Sequence, residues 1–176
     1  MKKYLFTAMI ATTCFLISCS GSKEELFNGK DLSNWNFVIE GDAVPAEQVY
    51  SVKDGVIQIE GQPFGYMYTK KKYSNYTLEL EWRWVNEASN SGIFLLIEEV
   101  KNPFPNGIEC QLHAGDAGDF VLLGGSDLQE YKQPEGQERP KFPVIKKREA
   151  SSEKPAGAWN QSKIIVTDGG ITVFIN

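Results

Sequence analysis

The stretch YTLELEWRWV, residues 76–85, alternates apolar and polar side chains over almost its whole length. Side chains alternate between the two faces of a β-strand, so this pattern predicts a strand with one apolar face and one charged face. The charged face would carry Glu79, Glu81 and Arg83, and the apolar face Leu78, Leu80, Trp82 and Trp84. We expect the apolar face to lie on a core and the charged face to point away from that core.

Eight further segments are short, rich in β-branched or aromatic residues, and bounded by Gly, Asn, Asp or Pro, which is typical of strands. They are NFVIE (36–40), GVIQIEG (55–61), YMYT (66–69), SGIFLLIEE (91–99), GIECQLH (107–113), GDFVLLGG (118–125), SKIIVTD (162–168) and ITVFIN (171–176). The run at 91–99 is almost wholly apolar at its start, which favours a strand buried on both sides. No stretch after residue 20 has helical periodicity, so the sequence predicts an all-β jelly-roll or sandwich fold.

Two connections stand out between these strands. TDGG at 167–170 predicts a hairpin turn that joins the last two strands. The stretch from Gly125 to Trp159 is charged and rich in Pro, with almost no strand signal. A segment of this length is either a solvated excursion or a functional lid or rim loop.

A second polar row lies in GIECQLHAGD, residues 107–116, which contains the only histidine of the chain. As a strand it places Ile108, Cys110 and Leu112 on one face and Glu109, Gln111 and His113 on the other. A carboxylate, an amide and an imidazole together can serve as acid, base or metal ligand. Two polar rows in one sandwich suggest a shared groove for a sugar. The competing interpretation is surface decoration by Glu–Arg pairs with a structural histidine.

Composition excludes several functions. The chain has 176 residues and a net charge of −5, and it lacks a run of basic residues interleaved with aromatics, so we expect no nucleic-acid partner. There is no G-x-S-x-G, H-E-x-x-H or glycine-rich phosphate loop. Paired Cys/His spacing for zinc is also absent, and no organic cofactor is expected.

The N-terminus is predicted to be a targeting signal. Residues 1–18 combine two lysines with a short apolar run, and LISC at 16–19 resembles the lipobox of bacterial lipoproteins. This predicts a signal peptide at 1–18, a lipidated Cys19 with a tether at 19–24, and one domain at 25–176. An ordinary secretory signal is the alternative. Cys110 would then be the only cysteine of the domain, without a disulfide partner.

Six segments resemble one known family in the order expected: LFNGKDLSNWNF, GVIQIEG, YSNYTLELEWRW, NSGIFL, GIECQLH and KPAGAWNQSKIIVTDGGITVFIN. They are similar to the 3-keto-disaccharide hydrolase family, also described as 3-keto-glucoside-1,2-lyase/3-keto-2-hydroxy-glucal hydratase domains. The resemblance runs from about Glu25 to the end and implies a concanavalin-like jelly-roll β-sandwich. Members continue with closing strands after the equivalent of FIN, so we expect the C-terminal strands to be missing.

The resemblance implies cleavage of 3-keto-glycosides by elimination across C1–C2 followed by hydration, with net hydrolysis. It assigns catalytic roles to Glu81, Arg83 and Glu109 and substrate binding to Asn90, Ser91 and Gln111, while Gly92 completes the NSG turn. His113 departs from the family pattern, in which an Asp is frequent nearby. It is either the base that removes the C2 proton or, with Glu81 and Glu109, a ligand of a divalent metal ion.

The expected partners follow from the same resemblance. They are a 3-keto-glycoside substrate, the membrane through lipid on Cys19, and a functional link to a sugar 3-dehydrogenase. The expected location is the outer membrane of a Gram-negative bacterium, facing the periplasm or exposed at the surface. The alternative function is that of a non-catalytic carbohydrate-binding jelly-roll lipoprotein.

Overall fold

The computed structural model describes residues 22–100 and 103–176, which form antiparallel sheets with two short 3-10 turns at Glu40–Asp42 and Ala46–Gln48. The signal peptide at 1–18 and the lipidation site Cys19 lie outside the described residues. No helix within the described part of the chain is long and apolar enough to cross a membrane. The strands are β1 (Trp35–Ile39), β2 (Tyr50–Lys53), β3 (Val56–Ile59), β4 (Gly65–Thr69), β5 (Tyr76–Trp82), β6 (Gly92–Glu99), β7 (Asn106–Gln111), β8 (Phe120–Leu123), β9 (Val144–Ile145), β10 (Asn160–Thr167) and β11 (Gly170–Ile175).

Two sheets pack face to face around the main core, which confirms the predicted sandwich. The front sheet has the strand order β6-β7-β8-β9, and the back sheet has the order β11-β10-β5. The fully buried centre of the core is built from both sheets: Leu95, Ile108, Cys110 and Leu122 from the front, and Ile164 and Val166 from the back. Burial of this apolar surface is the main force that holds the sheets together.

The predicted apolar faces of the two polar-row strands are confirmed. Leu78 of β5 packs on the core from the back sheet, and Ile108 and Cys110 of β7 are buried in it from the front sheet. Cys110 is a free thiol with 0% exposure, and burial raises its pKa to about 12, so it is a packing residue rather than a nucleophile.

A smaller unit contains the remaining four strands. β1 pairs with β4, and β2 pairs with β3. Their own apolar cluster centres on Ile39, Val49 and Tyr50. Tyr66 of β4 contacts Phe94 of β6, with ring centroids 5.4 Å apart, so this unit borders the front sheet.

The structure corrects two details of the prediction and confirms a third. The run at 91–99 is not buried on both sides: Leu96 is 49% exposed, because its backbone has φ 54° and the pairing with β7 shifts register between Leu95 and Glu99. β2 and the two-residue β9 were not predicted. The predicted hairpin at TDGG is confirmed, since Thr167 pairs with Gly170.

The Pro-rich stretch between Gly125 and Trp159 contributes only β9 to a sheet. Its second half runs along the end of the sandwich at which β7 ends and β8 begins. Lys146, Lys147 and Glu153 bind the loop at residues 113–119 there. This loop follows directly on the second polar row.

Candidate active site

Glu109 occupies the middle of β7 on the outer face of the front sheet. Its strand neighbours in register are Phe94 of β6 and Val121 of β8. The carboxylate lies over Gly92, because a Cβ atom at Gly92 would come within 1.9 Å of Glu109 Oε1. The glycine therefore provides the space that the carboxylate occupies.

The Glu109 carboxylate has no hydrogen bond or ion pair with any side chain in the described part of the protein. Burial raises the pKa of Glu109 to about 7, from an ordinary value of 4.5. Desolvation disfavours the charged form of a carboxylic acid, and here it is not offset by a cation. The group is thus available in both protonation states near neutral pH, as acid–base catalysis requires.

Gln111 lies two residues further along the same face of β7. Its Oε1 accepts hydrogen bonds from the backbone N–H groups of Leu112 and His113, both at 2.9 Å. The amide oxygen is therefore engaged, which fixes the orientation of the side chain. Nε2 makes no hydrogen bond with the described residues and can donate to a ligand.

The NSG turn lies beside this end of β7. The Ser91 carbonyl accepts a hydrogen bond from the backbone N–H of Leu112 at 2.8 Å, and the Ser89 carbonyl accepts one from Ala114 at 3.0 Å. Asn90 and Ser91 are exposed, so their side chains can reach a ligand at the same opening.

His113 follows β7 and is held by a carboxylate. Its Nδ1 lies 3.1 Å from Asp116 Oδ2, and the other oxygen of Asp116 lies 3.1 Å from Lys146 Nζ. The Lys146 ammonium holds the pKa of Asp116 below its usual value, with a smaller contribution from His113. The imidazole side chain is 48% exposed, and Nε2 has no partner among the described residues.

The loop at 113–119 is fixed by groups from the Pro-rich stretch. Asp119 is 1% exposed and forms ion pairs with Lys146 at 2.8 Å and with Lys147 at 3.4 Å. The Glu153 carboxylate accepts hydrogen bonds from the backbone N–H groups of Gly115 and Ala117, both at 3.0 Å. The ion pairs of buried Asp119 and the hydrogen bonds from the backbone to Glu153 hold the loop in one conformation, which fixes the position of His113.

Glu81 does not join this group, which contradicts the expectation that both polar rows face one groove, and Arg83 lies one residue past the end of β5. The apolar faces of β5 and β7 meet in the shared core, so their polar faces point away from each other on opposite sides of the sandwich. Glu81 accepts a hydrogen bond from Gln161 at 3.0 Å, and Arg83 lies over the Trp159 ring at 4.7 Å. Glu79 pairs with Lys163 on the same outer face.

The predicted metal-ligand set is therefore not assembled. Glu81 lies on the back sheet, whereas Glu109 and His113 belong to the front sheet and the loop after it. Among residues 22–100 and 103–176, no cluster of three or more His, Cys, Asp or Glu side chains could hold a metal ion. Glu81, Glu109 and His113 therefore do not form one ligand set for a cation. The divalent metal ion remains a prediction, with no ligands assigned to it.

Sequence reasoning missed Asp116, Lys146 and Glu153. Asp116 was within reach, because it follows His113 by three residues in the same quoted stretch. Lys146 and Glu153 carry no local signal, since each is at least 27 residues from its partners in the loop.

The front sheet thus carries a carboxylic acid and an amide on its outer face, with an imidazole in the loop that follows, in a type of fold that lectins also use. The chain belongs to the family described as the 3-keto-alpha-glucoside-1,2-lyase-like domain, whose model matches residues 22–176. The predicted family is thus confirmed.

Two relatives extend the comparison. A protein of Bacteroides thetaiotaomicron named 3-keto-disaccharide hydrolase is 27% identical over 158 residues, covering 83% of this chain and 53% of the relative. The crystal structure of a candidate glycosyl hydrolase from Parabacteroides distasonis has a TM-score of 0.57 and 28% identity, covering 86% of this chain and 66% of the other. The chain spans about half the length of the curated relative that it matches.

Proposed function

We propose that this protein cleaves 3-keto-glycosides by elimination followed by hydration, with Glu109 as general acid and His113 as general base. One observation carries the proposal: an unpaired carboxyl group with a pKa of about 7 lies on the same face as an amide donor and precedes a carboxylate-held imidazole. Membership of the family and the name of the Bacteroides relative support the substrate class.

In the first half of the reaction, His113 Nε2 takes the proton at C2, which the neighbouring C3 ketone acidifies. The electrons of the C2–H bond form an enolate, whose oxygen accepts a hydrogen bond from Gln111 Nε2. The enolate then restores the ketone and forms the C1=C2 double bond as the C1–O bond breaks. The departing oxygen takes the proton of Glu109.

In the second half, the Glu109 carboxylate takes a proton from water as the water oxygen adds to C1. Protonated His113 then returns its proton to C2, so both groups end in their starting states. Water has been added across the glycosidic bond, and the net reaction is hydrolysis. The resemblance gives Arg83 a catalytic role, but Arg83 has no part in this scheme, in which Gln111 stabilises the enolate.

The test compares leaving groups. An alkyl 3-keto-glucoside needs an acid at the departing oxygen, whereas a nitrophenyl 3-keto-glucoside does not. In single-turnover measurements of leaving-group release, which do not include the later hydration, we expect Glu109→Gln to slow the alkyl substrate by about 10²- to 10⁴-fold and the nitrophenyl substrate much less. His113→Ala should lower kcat with both. Glu81→Gln, the same change on the opposite sheet, is the matched control and should retain activity with both.

A reaction in D2O provides a second measurement. Elimination through C2 places deuterium at C2 of the released sugar, because the returning proton comes from a group that exchanges with solvent. Cleavage without deuterium at C2 would contradict the elimination route. Binding of unoxidised glycans without any cleavage of 3-keto-glucosides would favour the carbohydrate-binding alternative.

We further propose that lipid on Cys19 anchors the protein to the outer membrane and that a sugar 3-dehydrogenase supplies its oxidised substrate. LISC at 16–19 supports the anchor. Metabolic labelling with a fatty acid should mark the natural chain and fail to mark Cys19→Ser. Equal labelling of both chains would contradict the anchor.

A further inference from the structure

The contact between His113 and Asp116 determines which imidazole nitrogen carries the proton. Asp116 is an ionised carboxylate, and its oxygens can only accept hydrogen bonds. Nδ1 of His113 lies 3.1 Å from Asp116 Oδ2, so Nδ1 must be the donor. A neutral imidazole has a single N–H, and Nε2 is therefore left with a lone pair.

We propose that Asp116, itself oriented by Lys146, is a positioning residue that keeps the proton of neutral His113 on Nδ1 and leaves Nε2 free to accept a proton from the sugar. This inference rests on the proposed function for its catalytic consequence. Its structural content is the position of the imidazole proton, which does not depend on the reaction.

Lys146 has a defined part in this arrangement. Its ammonium group lies 3.1 Å from Asp116 Oδ1 and 2.8 Å from Asp119 Oδ2, and Asp119 is buried. Because Asp119 is buried, its carboxylate holds the Lys146 ammonium group in a fixed position. It occupies one oxygen of Asp116 and directs the other oxygen towards His113.

The backbone restrains the same geometry from the other side. Gln111 Oε1 accepts a hydrogen bond from the N–H of His113 at 2.9 Å, and the N–H of Asp116 donates to the His113 carbonyl at 2.8 Å. His113 and Asp116 are therefore fixed relative to each other, as a preorganised acid–base pair requires.

Asp116→Asn gives a sharp test because Lys146 can only donate. The amide oxygen of the new side chain must face Lys146, so its NH2 group must face His113 Nδ1. That contact needs Nδ1 as an acceptor and moves the imidazole proton to Nε2. In the double variant Asp116→Asn/Lys146→Met the amide is free to turn, its oxygen can face Nδ1, and the original tautomer should return in part.

The measurement is the ¹⁵N spectrum of the neutral imidazole in the histidine-labelled protein. The chain contains one histidine, so both ring-nitrogen signals belong to His113. We expect a protonated Nδ1 in the natural protein and a protonated Nε2 in Asp116→Asn. Asp127→Asn is the matched control, since Asp127 is an exposed carboxylate paired with Arg139 at 3.1 Å, and it should leave both signals unchanged.

Activity provides an independent readout. With an alkyl 3-keto-glucoside, Asp116→Asn should lower kcat about 100-fold and leave KM within about threefold, because the proton then blocks the accepting nitrogen. A natural protein with Nε2 protonated, or an Asp116→Asn variant with unchanged signals, would overturn the proposal. If no form cleaves 3-keto-glucosides but the signals change as expected, the positioning role stands and the proposed function fails.

Discussion

At the scale of single residues, the acid–base properties of Glu109 are set by what surrounds it. The carboxylate lies over Gly92 and beside Phe94 and Val121, with no cation in contact. Glu79 on the back sheet shows the contrast, because it is solvated and paired with Lys163. Two glutamates of one chain thus have different chemistry because their surroundings differ.

The first prediction concerns the pH dependence of the rate. Glu109 must be protonated to act as the acid, and burial raises its pKa to about 7. With an alkyl 3-keto-glucoside, kcat/KM should therefore fall as pH rises through about 7. With a nitrophenyl leaving group this fall should be absent. A fall with the alkyl substrate that persists unchanged in Glu109→Gln would contradict Glu109 as the acid.

The second prediction concerns stability. The folded pKa of Glu109 is about 7 and its ordinary value is 4.5, so the folded state holds this proton to a higher pH than the unfolded state does. The contribution of Glu109 to the free energy of unfolding should thus be full below about pH 4.5, decrease up to about pH 7, and then stay low, with a total loss of about 3 kcal/mol.

Urea unfolding of the natural protein and of Glu109→Gln measures this contribution. The glutamine does not titrate, so the difference between the two free energies isolates Glu109. We expect Glu109→Gln to be the more stable form at pH 8 and nearly equal at pH 4. Glu81→Gln, at an exposed position, should show no such trend. A difference that does not vary with pH would contradict the buried, unpaired state of Glu109.

At the scale of the strands, local sequence patterns predicted every strand except β2 and β9, but they did not predict which strands pair. Alternation in YTLELEWRWV correctly placed Leu78 on the core, and TDGG correctly joined β10 to β11 over four residues. Alternation cannot show which sheet a strand enters, because β5 pairs with β10 some 80 residues further on. Glu81 and Glu109 were therefore predicted on one groove although they lie on opposite sides.

The shorter strands, and the contacts that hold the 113–119 loop, could not be predicted because they depend on residues distant in sequence. β9 has only two residues, Val144 and Ile145, and is set between prolines and lysines, so it carries no periodic signal. Its position is fixed by pairing with β8 and by the ion pairs that Lys146 and Lys147 form with Asp119. Such contacts depend on the folded chain and leave no spacing in the sequence.

The third prediction tests the close approach of β6 and Glu109. A Cβ atom at Gly92 would lie 1.9 Å from Glu109 Oε1 and 2.6 Å from its Cγ and Cδ, so Gly92→Ala must displace this side chain. The backbone need not move, because Gly92 has an ordinary strand conformation. We expect kcat/KM to fall by about 100-fold or more, since small misplacements of a catalytic group have effects of this size. The thermal midpoint should shift by less than about 5 °C.

Gly169→Ala is the matched control for this change. Its added Cβ would meet only Thr167 Oγ1, at 3.8 Å, so both activity and thermal midpoint should be retained. Full activity of Gly92→Ala would show that the position of the Glu109 carboxylate over Gly92 is unimportant for the reaction.

At the scale of the whole molecule, the site depends on the two sheets acting as one body. The outer face of the front sheet carries Glu109 and Gln111, and its inner face is held by side chains of the back sheet. Ile164 of β10 lies at the centre of this contact with 0% exposure, packed with Leu95, Ile108 and Leu122. Loss of packing there should reach both sheets.

The fourth prediction follows from this arrangement. Ile164→Ala leaves a cavity between the sheets and should lower the free energy of unfolding by about 2–5 kcal/mol. With Trp35→Phe and Trp159→Phe in place, the remaining Trp82 and Trp84, in ring contact at 6.0 Å, report on the back sheet by fluorescence. The His113 ¹⁵N signals report on the end of β7 in the front sheet. Both probes should give the same urea midpoint in this protein and shift together when Ile164→Ala is added, as coincident transitions require of one cooperative unit. Phe174 lies on the outer face of β11 and is 54% exposed, so Phe174→Ala should shift both midpoints by only a small fraction of the shift that Ile164→Ala causes. Two separate midpoints would show that the front sheet, and with it the candidate site, folds independently of the back sheet.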